Sequence, residues 1–97
     1  MNVEETCEKI FLHYGTDPQI LKAIEELGEC VSELSRYLRT KDSMIMESLR
    51  WEVADACIML TQMRFLLGPD QVDSAIHAKL ARTLARMERE VITFFGE

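Results

Sequence analysis

Only three short stretches interrupt helical periodicity in this chain: "YGTDP" at Gly15 to Pro18, "RTKDS" at Arg39 to Ser43, and "LGPD" at Leu67 to Asp70. Between them apolar residues recur in steps of three and four, and no alternating strand pattern, internal repeat or low-complexity tract occurs. The pattern predicts an all-α chain with helices at about 3–13, 18–39, 44–67 and 70–92. Asp17 before Pro18 has the form of an N-cap and first-turn pair, and Ser43 that of the N-cap of the third helix. Gly68 with Pro69 stops that helix.

Ninety-seven residues form a single domain, 1–97. A core of this size is marginal when one chain must cover all of its apolar helix faces, so self-association is expected. The net charge of −6 argues against a general nucleic-acid surface. The acidic start "MNVEETCEK" lacks a signal core, and the longest apolar run, "ACIML", is too short to span a bilayer, so no membrane role and a cytoplasmic location are expected. Cys7, Cys30 and Cys57 are odd in number and form no CxxC pair, which fits reduced thiols packed in the core better than a disulfide frame or a zinc site.

On the second helix Ile20, Ile24, Leu27, Val31, Leu34 and Leu38 draw one seam, expected to meet a partner helix. Glu26, Glu29 and Glu33 lie on another face, where Glu26 and Glu29 point within roughly 60° of each other. The third helix is apolar nearly all round, which predicts burial, yet a polar line of Ser48, Glu52, Asp55 and Gln62, interrupted by Met59, runs along it. A buried carboxylate is costly without a partner, and no Lys or Arg stands three or four residues from Glu52 or Asp55. Two helices that each offer carboxylates at i, i+3 suit a hard divalent cation such as Mg²⁺, with Mn²⁺ as a substitute. A salt bridge to Lys22, Arg36 or Arg50 across helices is the structural alternative, and Glu25, Glu26 and Glu29 taken alone read equally well as a solvated helix face.

"EELGE", followed a little over twenty residues later by "EVAD", resembles the EExxE…ExxD signature of the MazG-like, all-α nucleoside triphosphate pyrophosphohydrolases. The resemblance spans about residues 18–90. It implies a four-helix MazG-like bundle completed by oligomerisation as a homodimer or homotetramer, with Glu26, Glu29, Glu52 and Asp55 as Mg²⁺ ligands. Glu25 would be a further ligand or the catalytic base. The implied reaction is Mg²⁺-dependent hydrolysis of nucleoside triphosphates to monophosphate and pyrophosphate, with nucleotide-pool house-cleaning as a role.

The fourth helix carries Lys79, Arg82, Arg86 and Arg89 on one side and Val72, Ile76, Leu80, Leu84 and Met87 on another. Spacing alone leaves that basic strip either a solvated flank or a phosphate-binding surface. "KLARTLAR" resembles the family's late Lys…Asn…Arg segment, which implies substrate binding by Lys79, Arg82 and Arg86, although Thr83 stands where Asn is usual. Trp51 reads as core or subunit interface before nucleobase stacking. His13 and His77 read as surface or packing residues, the Met-rich third helix as an adaptable interface, and the aromatics of "VITFFGE" as docking residues.

Two competing functions keep a place. Phosphoribosyl-ATP pyrophosphohydrolase is similar in fold and carboxylate motif. A helical interaction protein, whose acid pairs are structural, belongs to a different class.

Overall fold

In the computed structural model, residues 1–95 are described, with side chains described to Ile92. The described residues form four α-helices and no strand: α1 (Val3–Tyr14), α2 (Thr16–Thr40), α3 (Ile45–Leu67) and α4 (Pro69–Phe95). No helix among them is long and apolar enough to cross a membrane. The chain divides into two compact units, Met1–Leu66 and Leu67–Glu97.

Asn2 starts α1, its side-chain oxygen accepting the Glu5 N–H at 2.9 Å, and Glu4 and Glu5 complement the positive end of the helix. Gly15 both ends α1, donating its N–H to Phe11 O at 2.9 Å, and starts α2, whose Gln19 N–H reaches Gly15 O at 3.2 Å. Its φ of 93° with ψ of 168° is a backbone state open almost only to glycine, which is why the corner needs no loop. Helix α2 therefore begins before the expected Asp17 cap. Pro18 falls inside the first turn, where its missing N–H costs nothing.

The turn into α3 is also capped differently from expectation. Asp42 Oδ1, in place of the Ser43 hydroxyl, takes the Met44 N–H at 2.9 Å, and helix begins at Ile45. At the end of α2, Lys41 adopts the left-handed conformation, φ 54°, while its N–H caps Tyr37 O at 2.7 Å. Gly68, at φ 96°, separates α3 from Pro69 at the first position of α4, as the sequence predicts.

Within Met1–Leu66, α1 packs on α3 through an edge-to-face pair of Phe11 and Phe65, 5.5 Å between centroids, and through the Cys7 thiol, which donates to Ile58 O at 3.8 Å. Burial pushes the Cys7 thiol pKa up, as befits a packing residue. Cys30 is also buried, but Cys57 is exposed, against the expectation of core packing. Helices α2 and α3 run antiparallel, tied by Gln19 to Gln62 at one end and by Glu33 to Ser48 at the other. Ala23, Cys30 and Ala56 are buried, and their small side chains suit close approach of these two helices.

The apolar seam of α2 turns four of its six residues away from α3, while Ile20 and Leu27 are half-buried. Ile24, Val31, Leu34 and Leu38 are all exposed, and the face toward α3 carries Gln19, Ala23, Glu26, Cys30 and Glu33 instead. Nor is α3 buried all round, since Trp51 is 70% exposed and Val53, Leu60 and Leu67 are open as well. The apolar residues outnumber what one small helical unit can cover, so the surplus faces out.

In the second unit α4 keeps its amphipathic division, yet Ile76, Leu80, Leu84 and Met87 on the apolar side are exposed. Thr83 Oγ1 donates to Lys79 O at 3.0 Å within the helix, and the Arg86 guanidinium lies 3.8 Å from Glu90. The expectation for the aromatics of the terminal segment falls outside the described side chains.

Candidate metal centre

The antiparallel register of α2 and α3 fixes the site. Glu26 lies seven residues, two turns, after Gln19, and Asp55 lies seven before Gln62, so the register that pairs the glutamines sets Glu26 opposite Asp55. One turn further along, the same register sets Glu29 opposite Glu52. One oxygen each from Glu26, Glu52 and Asp55 lie within 4.8 Å of one another. Three of the four expected ligands are thus brought together, and the polar line of α3 does face α2.

The three are unequally placed. The Glu26 side chain is 12% exposed and Glu52 is half-buried, but Asp55 is exposed at the mouth of a cavity, where full burial was expected. Lys22 Nζ lies 3.1 Å from Glu26 Oε1 and 4.0 Å from Glu25 Oε2, so this lysine, an alternative partner for Glu52 or Asp55 across the helices, pairs with acids of its own helix instead. Arg36, another expected partner, pairs with Glu33 at 3.2 Å, and Ser48 donates to the same carboxylate at 3.2 Å.

Lys22 leaves the cluster incomplete. Glu26 Oε2 and Glu52 Oε2 are buried and accept no hydrogen bond. Carboxylate oxygens in that condition are costly, because each has lost water without gaining a donor.

Glu29 stands beside the three. Repulsion from Glu26, then burial, then repulsion from Glu52 and Glu25, and a hydrogen bond with Glu26, raise its carboxyl pKa above the usual glutamate value. The Glu26 carboxylate, with charge from Glu25 and Glu29, raises Lys22 in turn. Glu25 is 60% exposed, on the solvent side of the cluster.

The oxygen-only donor set and its negative charge fit a hard divalent cation. Octahedral Mg²⁺ holds oxygens at about 2.0–2.1 Å, hence about 3 Å apart when adjacent and about 4 Å when opposite. Oxygens already within 4.8 Å need only side-chain adjustment to meet that spacing. The two orphaned oxygens are the atoms such an ion would satisfy.

Lys79, Arg82 and Arg86 are exposed on α4, in the second unit. Trp51 is exposed, so it is not core within one chain. His13 is exposed and contacts Tyr14 edge-to-face at 4.7 Å, and His77 is exposed on α4. Sequence reasoning missed Gln19 altogether, although its seven-residue spacing from Glu26 matches that of Gln62 from Asp55.

Comparison with protein families, curated proteins and solved structures gives no match.

Proposed function

We infer that the protein is a Mg²⁺-dependent nucleoside triphosphate pyrophosphohydrolase built on a MazG-like helical bundle. The observation that carries this reading is the convergence of Glu26, Glu52 and Asp55 with two buried carboxylate oxygens left without a donor. It joins the EExxE…ExxD resemblance to a geometry that asks for a cation.

Glu26, Glu52 and Asp55 would hold the ion, with Glu29, one turn along α2, added to the set by the resemblance. A divalent cation bound there supplies neutralisation of phosphate charge and activation of water. Glu25, exposed at the edge of the cluster, would be a further ligand or the base that accepts the proton of the attacking water, a role that comes from the resemblance. Lys22, half-exposed beside it, has the reach to turn from Glu26 toward a phosphate. Lys79, Arg82 and Arg86 carry over from the resemblance alone, as residues that would hold the triphosphate and stabilise the pyrophosphate leaving group.

Assembly belongs to the same proposal. The exposed row of Ile24, Val31, Leu34 and Leu38 on α2 is the kind of contiguous apolar stripe that a second copy covers, which supports a homodimer or homotetramer.

Pyrophosphate release from a panel of nucleoside triphosphates, with and without Mg²⁺, tests the activity. Release that requires the cation and falls at least about a hundredfold in Asp55→Asn is expected. Release from none of them, with the metal present, would remove the reading.

A further inference from the structure

Glu26 is divided between two surroundings. Its Oε1 faces the Lys22 ammonium at 3.1 Å, while its Oε2 is buried with no donor, as is Oε2 of Glu52 across the helix interface. The same ammonium lies 4.0 Å from Glu25 Oε2. Lys22, 51% exposed, also shares the lining of a cavity of about 450 Å³ in the Met1–Leu66 unit with Glu26 and Asp55.

Helix geometry does little to hold this lysine where it is. Lys22 precedes Glu26 by four residues, and on a helix the order with lysine first is the weaker of the two. A long exposed side chain also loses freedom when it is kept in one position. The attraction that offsets both comes from the negative charge gathered by Glu25, Glu26, Glu52 and Asp55. That attraction lasts only as long as the charge is not neutralised by something else.

We propose that Lys22 is the resident counter-ion of the carboxylate cluster in the metal-free protein and that a divalent cation binds by exchange with it. The proposal rests on the metal reading above. A divalent ion on Glu26 and an ammonium on the same carboxylate are like charges a few ångströms apart, so one of them must give way. Lys22 has somewhere to go, because its flexible stem can carry the ammonium from Glu26 into water at the cavity mouth. The buried oxygens of Glu26 and Glu52 have no such freedom, and the ion supplies what the lysine leaves undone there.

Exchange gives Lys22 an effect on the metal opposite in sign to that of a brace. A lysine that merely orients Glu26 as a ligand would strengthen metal binding, and its loss would weaken the site. A lysine that must be displaced subtracts from metal affinity, and its loss tightens the site.

The test is calorimetric titration of Mn²⁺ into the metal-stripped full chain, as wild type, Lys22→Met and Lys22→Arg, with helicity checked by circular dichroism. Lys22→Met keeps a flexible apolar stem on an exposed position and should bind Mn²⁺ at least about threefold more tightly than wild type. Lys22→Arg, charged and able to fork onto a carboxylate, should bind no more tightly than wild type. Acetylation of wild-type lysines by acetic anhydride, read by peptide mass spectrometry, follows the displacement itself. The Lys22 rate should rise several-fold when Mg²⁺ is added, relative to the exposed Lys9 and Lys41. Mn²⁺ binding by Lys22→Met no tighter than by wild type, or a Lys22 rate unmoved by Mg²⁺, would overturn the exchange and leave the metal centre standing. Absence of Mn²⁺ binding by all three proteins would remove the metal centre and the exchange together.

Discussion

Three polar levels cross the α2–α3 interface, and the middle one differs from the two that flank it. At one end Gln19 and Gln62 bond to each other at 2.8 Å, and at the other Glu33 accepts from both Arg36 and Ser48 at 3.2 Å. Between them Glu26 and Glu52 each keep a buried oxygen with no donor. The same two helices, in the same register, join across the interface by a side-chain hydrogen bond at both ends and leave two buried carboxylate oxygens without a donor in the centre. Incompleteness there is a local property of three acids, and it marks where an external charge is expected.

The largest effect on stability should come from making an end level resemble the centre. Gln62→Leu strips Gln19 of its acceptor and should cost about 1–3 kcal/mol in urea unfolding, most of it recovered in Gln19→Met/Gln62→Met. Making the centre resemble the ends has the opposite sign. Glu52→Gln removes one of the crowded negative charges and brings in a donor, so the metal-free protein should gain about 1 kcal/mol while its response to Mg²⁺ disappears. A loss of metal-free stability in that variant would mean that Glu52 already has a structural cation.

Gly28 provides a control on the same helix. A Cβ there meets nothing within 4 Å, so Gly28→Ala should stabilise by about 0.5–1 kcal/mol without altering the cation response. If Gly28→Ala weakens cation binding instead, something approaches that backbone in the working protein.

The smallest effect is a pH dependence. Glu29 has a folded pKa above its unfolded value, near 4.5, so the folded state holds that proton more tightly. The contribution is favourable at low pH and is lost as pH rises through the raised folded value. Metal-free wild type should therefore lose stability relative to Glu29→Gln as pH climbs upward from about 4.5, and the gap should close when Mg²⁺ is added.

The sequence made the helix order legible, because Gly15, Gly68 and Pro69 leave few alternatives for where helices break. Glu52 and Asp55 were legible as acids in apolar surroundings, and Glu26 through its place in the EExxE…ExxD resemblance. The inward face of α2 was not. Hydrophobic periodicity marks the richest apolar stripe as the one that meets a partner helix, whereas within the chain Ile24, Val31, Leu34 and Leu38 face outward and the smaller Ala23 and Cys30 face in. Periodicity counts apolar residues and is blind to which stripe is narrow enough for two helices to approach closely. The Gln19–Gln62 bond escaped for another reason: a glutamine pair 43 residues apart has no local signature, and only the register between two helices reveals it.

Calorimetric titration of Mn²⁺ into the metal-stripped chain, beside Asp55→Asn, tests most directly whether the central level is built for a cation. Saturable binding with a stoichiometry of about one ion or more per chain, weakened at least about tenfold in the variant, is the predicted result. Absence of saturable binding, or equal binding by both proteins, would contradict it and leave the three acids as a structural cluster.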